Sequence, residues 1–189
     1  LLDDTSAIRA IHGEGDGLPG LVVDLYDTTA VVVFDGQAAR EFWLRYADAI
    51  VDGLRDAGLP LKRLWSRAEG PLRGDEPSDV IEIREHGARF AVDIRRGQKT
   101  GWFIDQRDNR LLVRKLARGA SVLNLFSYTG GFSVHPALGG ALRVTSVDSA
   151  APAVQAARRN FELNLLDPRK HEFCVADAFE YLERSRESR

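Results

Sequence analysis

The sequence predicts an α/β protein: an open parallel sheet, with only its first strands present, preceded by a small α+β domain. Two observations predict it. From residue 121 onward, β-branched apolar runs alternate with helical stretches across short loops, the pattern of a parallel sheet with crossover helices. Before residue 90 the order is instead strand, strand, helix, strand, hairpin. At 189 residues, 44% hydrophobic and 29% charged, the chain has room for one large or two small domains.

The elements follow in order. Ile8 to Tyr26 carries glycines at 13, 15, 17 and 20 around Pro19, a tight turn feeding the strand Leu21 to Tyr26. No Gly-Lys-Ser/Thr follows, which excludes a P-loop. Asp27-Thr28 turns the chain into a second strand, Ala30 to Phe34. From Ala38 to Ala57, the apolar positions Phe42, Leu44, Tyr46, Ala49, Ile50 and Leu54 recur at helical steps up to Gly58. Leu61 to Arg67 reads as a strand, and Gly70 to Asp79, with two prolines and three acids, as a loop. Val80 to Arg84 and Ala88 to Ile94 alternate around His86-Gly87 as a hairpin. His12 and His86 sit beside glycines without metal-ligand partners, and are expected to be surface turn residues.

Beyond residue 90 the expected order is helix Asp105 to Leu116, strand Ser121 to Leu125, helix Gly131 to Leu138 and strand Val144 to Asp148. Helix Ala151 to Leu165, strand His171 to Ala176 and helix Ala178 to Arg189 follow. The one cysteine, Cys174, excludes a disulfide framework and a cysteine-based zinc site, and is expected to be a core residue. No metal site is expected. Net charge is −2, but the halves differ: residues 1 to 90 hold 10 basic and 17 acidic residues, the remainder 16 and 11. Ile94 to Arg118 concentrates Arg95, Arg96, Lys99, Arg107, Arg110, Arg114, Lys115 and Arg118 against two acids, a stripe suited to a phosphate backbone or to solvation. No apolar run approaches the roughly 20 residues of a membrane span and no leader opens the chain, so the expected location is the cytoplasm, away from membranes. The start Leu1-Leu2-Asp3-Asp4 and the lack of methionine suggest a piece of a longer protein.

The chemistry concentrates in Val122 to Phe132, at the carboxyl end of the first parallel strand, where open α/β sheets bind ligands. Gly130 and Gly131 admit close backbone approach, and the next helix offers free amide donors. Seventeen residues after Gly131, Asp148 ends the second strand, suited to accept from ribose hydroxyls; Asp177 ends the third, placed to meet an adenine amino group. Three ligand-type residues at one sheet edge imply a nucleoside cofactor. A dinucleotide site would show Gly-x-Gly-x-x-Gly against its pyrophosphate. Here the turn reads Phe126-Ser127-Tyr128-Thr129-Gly130-Gly131, a crowding that S-adenosylmethionine, lacking a pyrophosphate, tolerates. A nicotinamide oxidoreductase remains the minor alternative.

The run Gly97 to Arg110 resembles the pre-sheet motif of the bacterial large-subunit ribosomal RNA methyltransferase I family, cytosine-C5 methyltransferases of 23S ribosomal RNA. Asn124 to Ser133 is similar to that family's first cofactor loop, with Asn124 for the commoner Asp. Asn160-Phe161-Glu162-Leu163-Asn164, Asp177-Ala178-Phe179 and His12 to Tyr26 extend the likeness over nearly the whole chain. The resemblance implies a Rossmann-like class I methyltransferase sheet, with residues 1–90 as the central, substrate-side domain and 91–189 as the first half of the methyltransferase domain. By it, Gln106 and Arg107, with Phe103 near them, would line the methionine end of S-adenosylmethionine. The loop Phe126 to Gly131 after Asn124 would hold the amino acid portion, Asp148 the ribose, and Asp177-Ala178 the adenine. RNA, ribosomal by that likeness, would be the partner; a homodimer stays open. The family's preceding PUA domain and its Asp-Pro-Pro motif on a fourth strand do not occur in these residues, and Asp167-Pro168 falls in a loop. No residue is therefore assigned the catalytic step, and a non-catalytic RNA-binding fragment is the rival reading.

Overall fold

The computed structural model describes residues 3–187. Leu1 and Leu2, and the last two residues of the expected helix Ala178 to Arg189, lie outside them. The chain divides into two units, one running up to Glu85 and including Val92–Ile104, the other made of His86–Ala91 and the chain from Asp105 onward. The strand Ala88–Asp93 contributes residues to both units.

In the first unit, β1 (Ala7–His12), β2 (Leu21–Tyr26), β3 (Thr29–Phe34), β4 (Arg63–Ser66) and β5 (Gly70–Arg73) form a sheet in sequence order. Only β3 and β4 are parallel. Their crossover is helical: α1 (Gln37–Trp43), a 3-10 turn over Leu44–Tyr46, and α2 (Ala47–Asp56). Ile50, Val51 and Leu54 of α2 pack with Leu21, Val23, Leu25, Val32 and Leu64 into one apolar core.

Three elements differ from the sequence expectation. β1 has no clean alternation because a bulge falls between Arg9 and Ile11, shifting the pleat midway along the strand. β5 looked like a loop because it contains Pro71. It pairs with β4 at the sheet edge, where a missing N–H is tolerated. The single helix Ala38 to Ala57 is two, since the pattern joining them ran through Phe42 and Tyr46, which are exposed; α1 buries none of its residues.

The segment before the second unit is pinned to the first. The Asp24 carboxylate, 0% exposed, accepts two hydrogen bonds from Arg9 at 2.8 and 3.0 Å and one from the Thr100 hydroxyl. The Tyr26 hydroxyl lies 2.7 Å from Thr100 Oγ1 and accepts from the Trp102 amide, while the Trp102 indole donates to Glu85. Arg67 donates to the carbonyls of Ile94 and Gly97. Gly101 is required here: with φ of 133°, an added Cβ would stand 2.7 Å from Val92 Cγ1.

β6 (Val80–Glu85) and β7 (Ala88–Asp93) form the expected hairpin, with His86 and Gly87 both at positive φ (47° and 75°), as a type I′ turn demands. His86 is not the surface residue expected. It is half-buried, with a buried Nε2 3.9 Å from the Asp108 carboxylate and its carbonyl capped by Arg114. His12 is exposed at the end of β1.

The second unit holds the parallel sheet β10 (Glu172–Val175), β9 (Arg143–Asp148) and β8 (Ser121–Leu125), in that spatial order. Its helices are α3 (Arg107–Leu116), α4 (Gly131–Leu138), α5 (Ala151–Leu163) and α6 (Ala178–Glu187). Cys174 was expected in the core. It is half-buried because β10 is an edge strand, and its thiol contacts the Glu172 carboxylate. The basic stripe does not persist as one surface. Arg110 is buried on α3 with its guanidinium 5.8 Å from the Phe132 ring, and Arg95 is held by Glu76 and Asp79.

Candidate functional site

β8, β9 and β10 are parallel and in register at their ends, Leu125 beside Val147 and Asp148 beside Val175. Their carboxyl ends therefore share one edge, which carries the loop from Phe126 to Gly130, then Asp148, then Asp177.

The loop needs unusual backbone. Phe126 (φ 55°), Tyr128 (φ 46°) and Gly130 (φ 82°) all adopt the left-handed region, which costs the two non-glycine residues about 1 kcal/mol or more each. Neighbouring bonds overcome that cost. The Ser127 amide donates to the Val147 carbonyl (2.9 Å), the Tyr128 amide to Asp148 Oδ2 (2.8 Å), and the Gly130 amide to the Ser127 carbonyl (2.9 Å). From α5, Asn160 Nδ2 donates to the Thr129 carbonyl at 2.8 Å while its Oδ1 accepts from the Ala91 amide. Asn164 likewise brackets Arg89, accepting from its amide and donating to its carbonyl. The Asn160 to Asn164 motif thus works as a scaffold, with Asn160 fully buried.

Gly130 has a packing reason that sequence did not reveal: a Cβ there would lie 2.8 Å from Ala157 Cβ and 3.1 Å from its Cα. The glycine lets the loop sit against α5. Asn124 donates from Nδ2 to Ser133 Oγ (2.8 Å), which also receives the Ser146 hydroxyl at 2.7 Å. Asn124 therefore braces the start of α4 from below the loop. Gly131 opens α4, whose Ser133 and Val134 amides turn back to the Gly130 carbonyl.

Asp148 joins the pieces. Oδ2 takes the Tyr128 amide, Oδ1 takes the Ala150 amide at 3.0 Å, and its carbonyl accepts from the Ala176 amide at the tip of β10. A carboxylate offers about four acceptor positions, so two bonds leave capacity for hydroxyl donors. Asp177 caps α6, accepting with Oδ1 from the amides of Phe179 (2.8 Å) and Glu180 (3.2 Å); Oδ2 takes no part in the cap, and Ala178 behind it is buried.

Phe179, which the sequence reading had not singled out as a site residue, is 67% exposed, and its ring lies edge-on to Phe126, itself 66% exposed, with centroids 6.1 Å apart. Exposed aromatics normally seek cover, so an exposed pair at a ligand-type edge is informative. Its one sequence signal was Phe179 directly following Asp177-Ala178. Gln106 immediately precedes α3 and Arg107 opens it; Gln106 Oε1 accepts from Asn109 and Arg107 lies 3.4 Å from Asp108. Phe103 belongs to the first unit, where the Lys99 ammonium sits 4.5 Å from its ring centroid.

Two loop hydroxyls, Ser127 Oγ and Thr129 Oγ1, are buried and find no hydrogen-bond partner. Such groups cost about 1–3 kcal/mol if left unsatisfied, and at a ligand edge they suit a polar group that the protein alone does not supply. Backbone donors, unsatisfied hydroxyls, an acid with spare acceptor positions and exposed rings together fit a nucleoside bearing an amino acid tail.

Residues 63–187 match the family model described as S-adenosylmethionine-dependent methyltransferase. The chain is 38% identical over 193 aligned residues to the ribosomal RNA large subunit methyltransferase I of Salmonella arizonae, and 37% identical to that of Cronobacter sakazakii. Each alignment covers 98% of this chain, which spans about half the length of these relatives, 48% and 49%. A solved structure from Streptococcus mutans, described as a SAM-dependent methyltransferase, superposes with a TM-score of 0.82 at 33% identity, over 97% of this chain and 49% of the other. The structure of SMU.776, described as a methyltransferase complexed with SAH, matches equally well at 32% identity. A parallel α/β sheet with its ligand edge built in this way defines the Rossmann-like cofactor fold. The chain belongs to the S-adenosylmethionine-dependent methyltransferases.

Proposed function

We propose that the chain is the cofactor-holding part of an S-adenosylmethionine-dependent methyltransferase that acts on cytosine C5 of large-subunit ribosomal RNA in the cytoplasm. The Asp148–Tyr128 bond at 2.8 Å carries this reading, because it fixes the first cofactor loop and the ribose-type acid in one cradle. Among the described residues no helix is long and apolar enough to cross a membrane.

When bound, S-adenosylmethionine supplies an electrophilic methyl group on a sulfonium. The chain's residues bind and orient it. The backbone of Ser127 to Gly131, with the hydroxyls of Ser127 and Thr129, meets the amino acid portion. Asp148 accepts from the ribose hydroxyls, Asp177 Oδ2 from the adenine amino group, and the exposed rings of Phe126 and Phe179 at the same edge offer the adenine an apolar contact. Gln106 and Arg107 meet the methionine carboxylate, Arg107 by a charge-assisted bond. Asn124 and Asn160 are positioning residues that hold the loop. The target base, taken out of its stack, would receive the methyl group in line, with positioning the main contribution of these residues.

The name of the relatives supports the ribosomal substrate, and the resemblance in sequence supports the cytosine target. Incubation with a tritiated methyl donor and large-subunit ribosomal RNA, followed by digestion to nucleosides, tests both. Label in 5-methylcytidine is the expected result. Label in another nucleoside overturns the target, and a chain that binds the donor and RNA without transfer is the non-catalytic RNA binder.

A further inference from the structure

The first unit carries a cleft where the glycine turn before β2 meets α1. Its volume is about 550 Å3, within the roughly 300–1,000 Å3 of ligand sites. Pro19, Ala39, Phe42 and Trp43 line it with apolar surface, Glu14 and Asp35 with carboxylates. Gly20 permits the close fit of helix and turn. At its φ of 73°, an added Cβ would stand 2.5 Å from Ala39 Cβ.

The polar groups left to an occupant are acceptors. Four N–H groups of the lining residues are spent inside the protein: Gly17 on the Glu14 carbonyl, Gly20 on Glu14 Oε1, Asp35 on the Gly20 carbonyl and the Trp43 indole on the Pro19 carbonyl. Glu14 thus meets a neutral amide. Asp16 and Glu41 also accept from neutral donors, the His12 amide and the Gln37 side chain, and among the described residues no bond holds the exposed Asp35 carboxylate. Arg40, the cation of α1, is taken up by Glu69. Beside these acids stands an aromatic cluster. Phe42, 50% exposed, lies edge-on to Trp43 with centroids 4.9 Å apart and 5.0 Å from Tyr46, itself 46% exposed. A guanidinium answers both chemistries, with five N–H donors for carboxylates and a flat face for an aromatic ring. A phosphate would be repelled by the acids. Tyr46 continues the aromatic surface beyond the residues that line the cleft, more area than a lone small cation covers.

We infer that this cleft receives an arginine side chain from a basic segment of a partner protein, its guanidinium against the Phe42 ring and toward the carboxylates of Glu14 and Asp35. The inference gives the first unit a protein-binding face and stands apart from the cofactor and RNA readings above.

Fluorescence anisotropy with a labelled octapeptide of alternating glycine and arginine tests it on the full chain, with a thermal melt for each variant. Tryptophan emission is a second readout, because Trp65 and Trp102 are buried while Trp43 lines the cleft. Saturable binding that shifts this emission, tighter than for the same peptide built with lysine, is the expected result. Asp35→Asn removes a charge that holds no bond, and Phe42→Leu keeps apolar bulk without the ring. Each is expected to weaken binding about twofold to fivefold, with an unchanged melting temperature. Asp75→Asn, an equal charge change at an exposed position in the loop after β5, should leave binding within about twofold. No binding to the wild-type chain, or undiminished binding in folded Asp35→Asn and Phe42→Leu chains, overturns the cleft as the seat. An equal loss in Asp75→Asn reduces the effect to general charge attraction and overturns it too. Equal binding of the lysine peptide, or of one built with glutamate, overturns arginine as the occupant. Displacement by spermine at lower concentration than by unlabelled peptide overturns a protein segment.

Discussion

The side-chain amide of Asn160 on α5 donates to the Thr129 carbonyl at 2.8 Å, so a fully buried residue more than thirty positions away sets the path of the first cofactor loop. Asn160→Leu leaves the Thr129 carbonyl and the Ala91 amide without this partner. The expected cost is about 1–3 kcal/mol, with faster hydrogen exchange at the loop amides Tyr128 and Gly130. Unchanged exchange there would remove Asn160 from the loop's support.

Gly130→Ala meets two obstacles, a φ of 82° and contact with Ala157 at 2.8 Å. It should lose about 1–3 kcal/mol and lower Tm by roughly 2–10 °C. The Gly130→Ala, Ala157→Gly double variant removes the clash but adds a mid-helix glycine, so its loss of stability in a thermal melt should be smaller than the sum of the two single losses.

Cys174 lies beside Glu172, and burial first, then that carboxylate, pushes its thiol above the ordinary 9.0. Little thiolate forms at neutral pH, so alkylation should be slow and should rise with pH. Removing the negative neighbour lowers the thiol's pKa: Glu172→Gln should speed iodoacetamide labelling at pH 8 by about twofold to fivefold. Equal rates in the two proteins would contradict the assignment.

Tyr26 is pushed well above its ordinary 10.0, by burial first and then by Asp24. Folding therefore favours the protonated phenol. Below pH 10 that contribution is fully present. Above it the unfolded chain ionises first and stability falls as pH climbs toward the folded value. Urea midpoints should decline above pH 10, and Tyr26→Phe should flatten the decline while lowering the midpoint at neutral pH through its lost bonds to Thr100 and Trp102.

The parallel sheet was readable because each of its strands is bounded by a glycine, an acid or a polar turn. The loop at the end of β8 and the acids at 148 and 177 could be placed from strand ends alone. What escaped the sequence depended on partners distant in the chain. The β1 bulge broke the alternation, and Pro71 disguised an edge strand. Phe42 and Tyr46 carried a helical pattern past the 3-10 turn. Arg110 read only as part of a basic stripe because nothing local announces that Phe132 lies against it. Asn160 could be recognised as part of a motif, but its work as a pin for the loop is visible only when α5 is packed.

The central claim is that the loop after β8 and the acid ending β9 form one seat for an adenosyl group. Calorimetric titration of the chain with S-adenosylhomocysteine, compared with Asp148→Ala, tests it most directly. Saturable one-site binding that weakens at least about tenfold in the variant, roughly the 1.4 kcal/mol of one lost polar contact, is the predicted result. Binding of equal strength in both proteins, or none to the wild-type chain while NAD binds tightly, would contradict it.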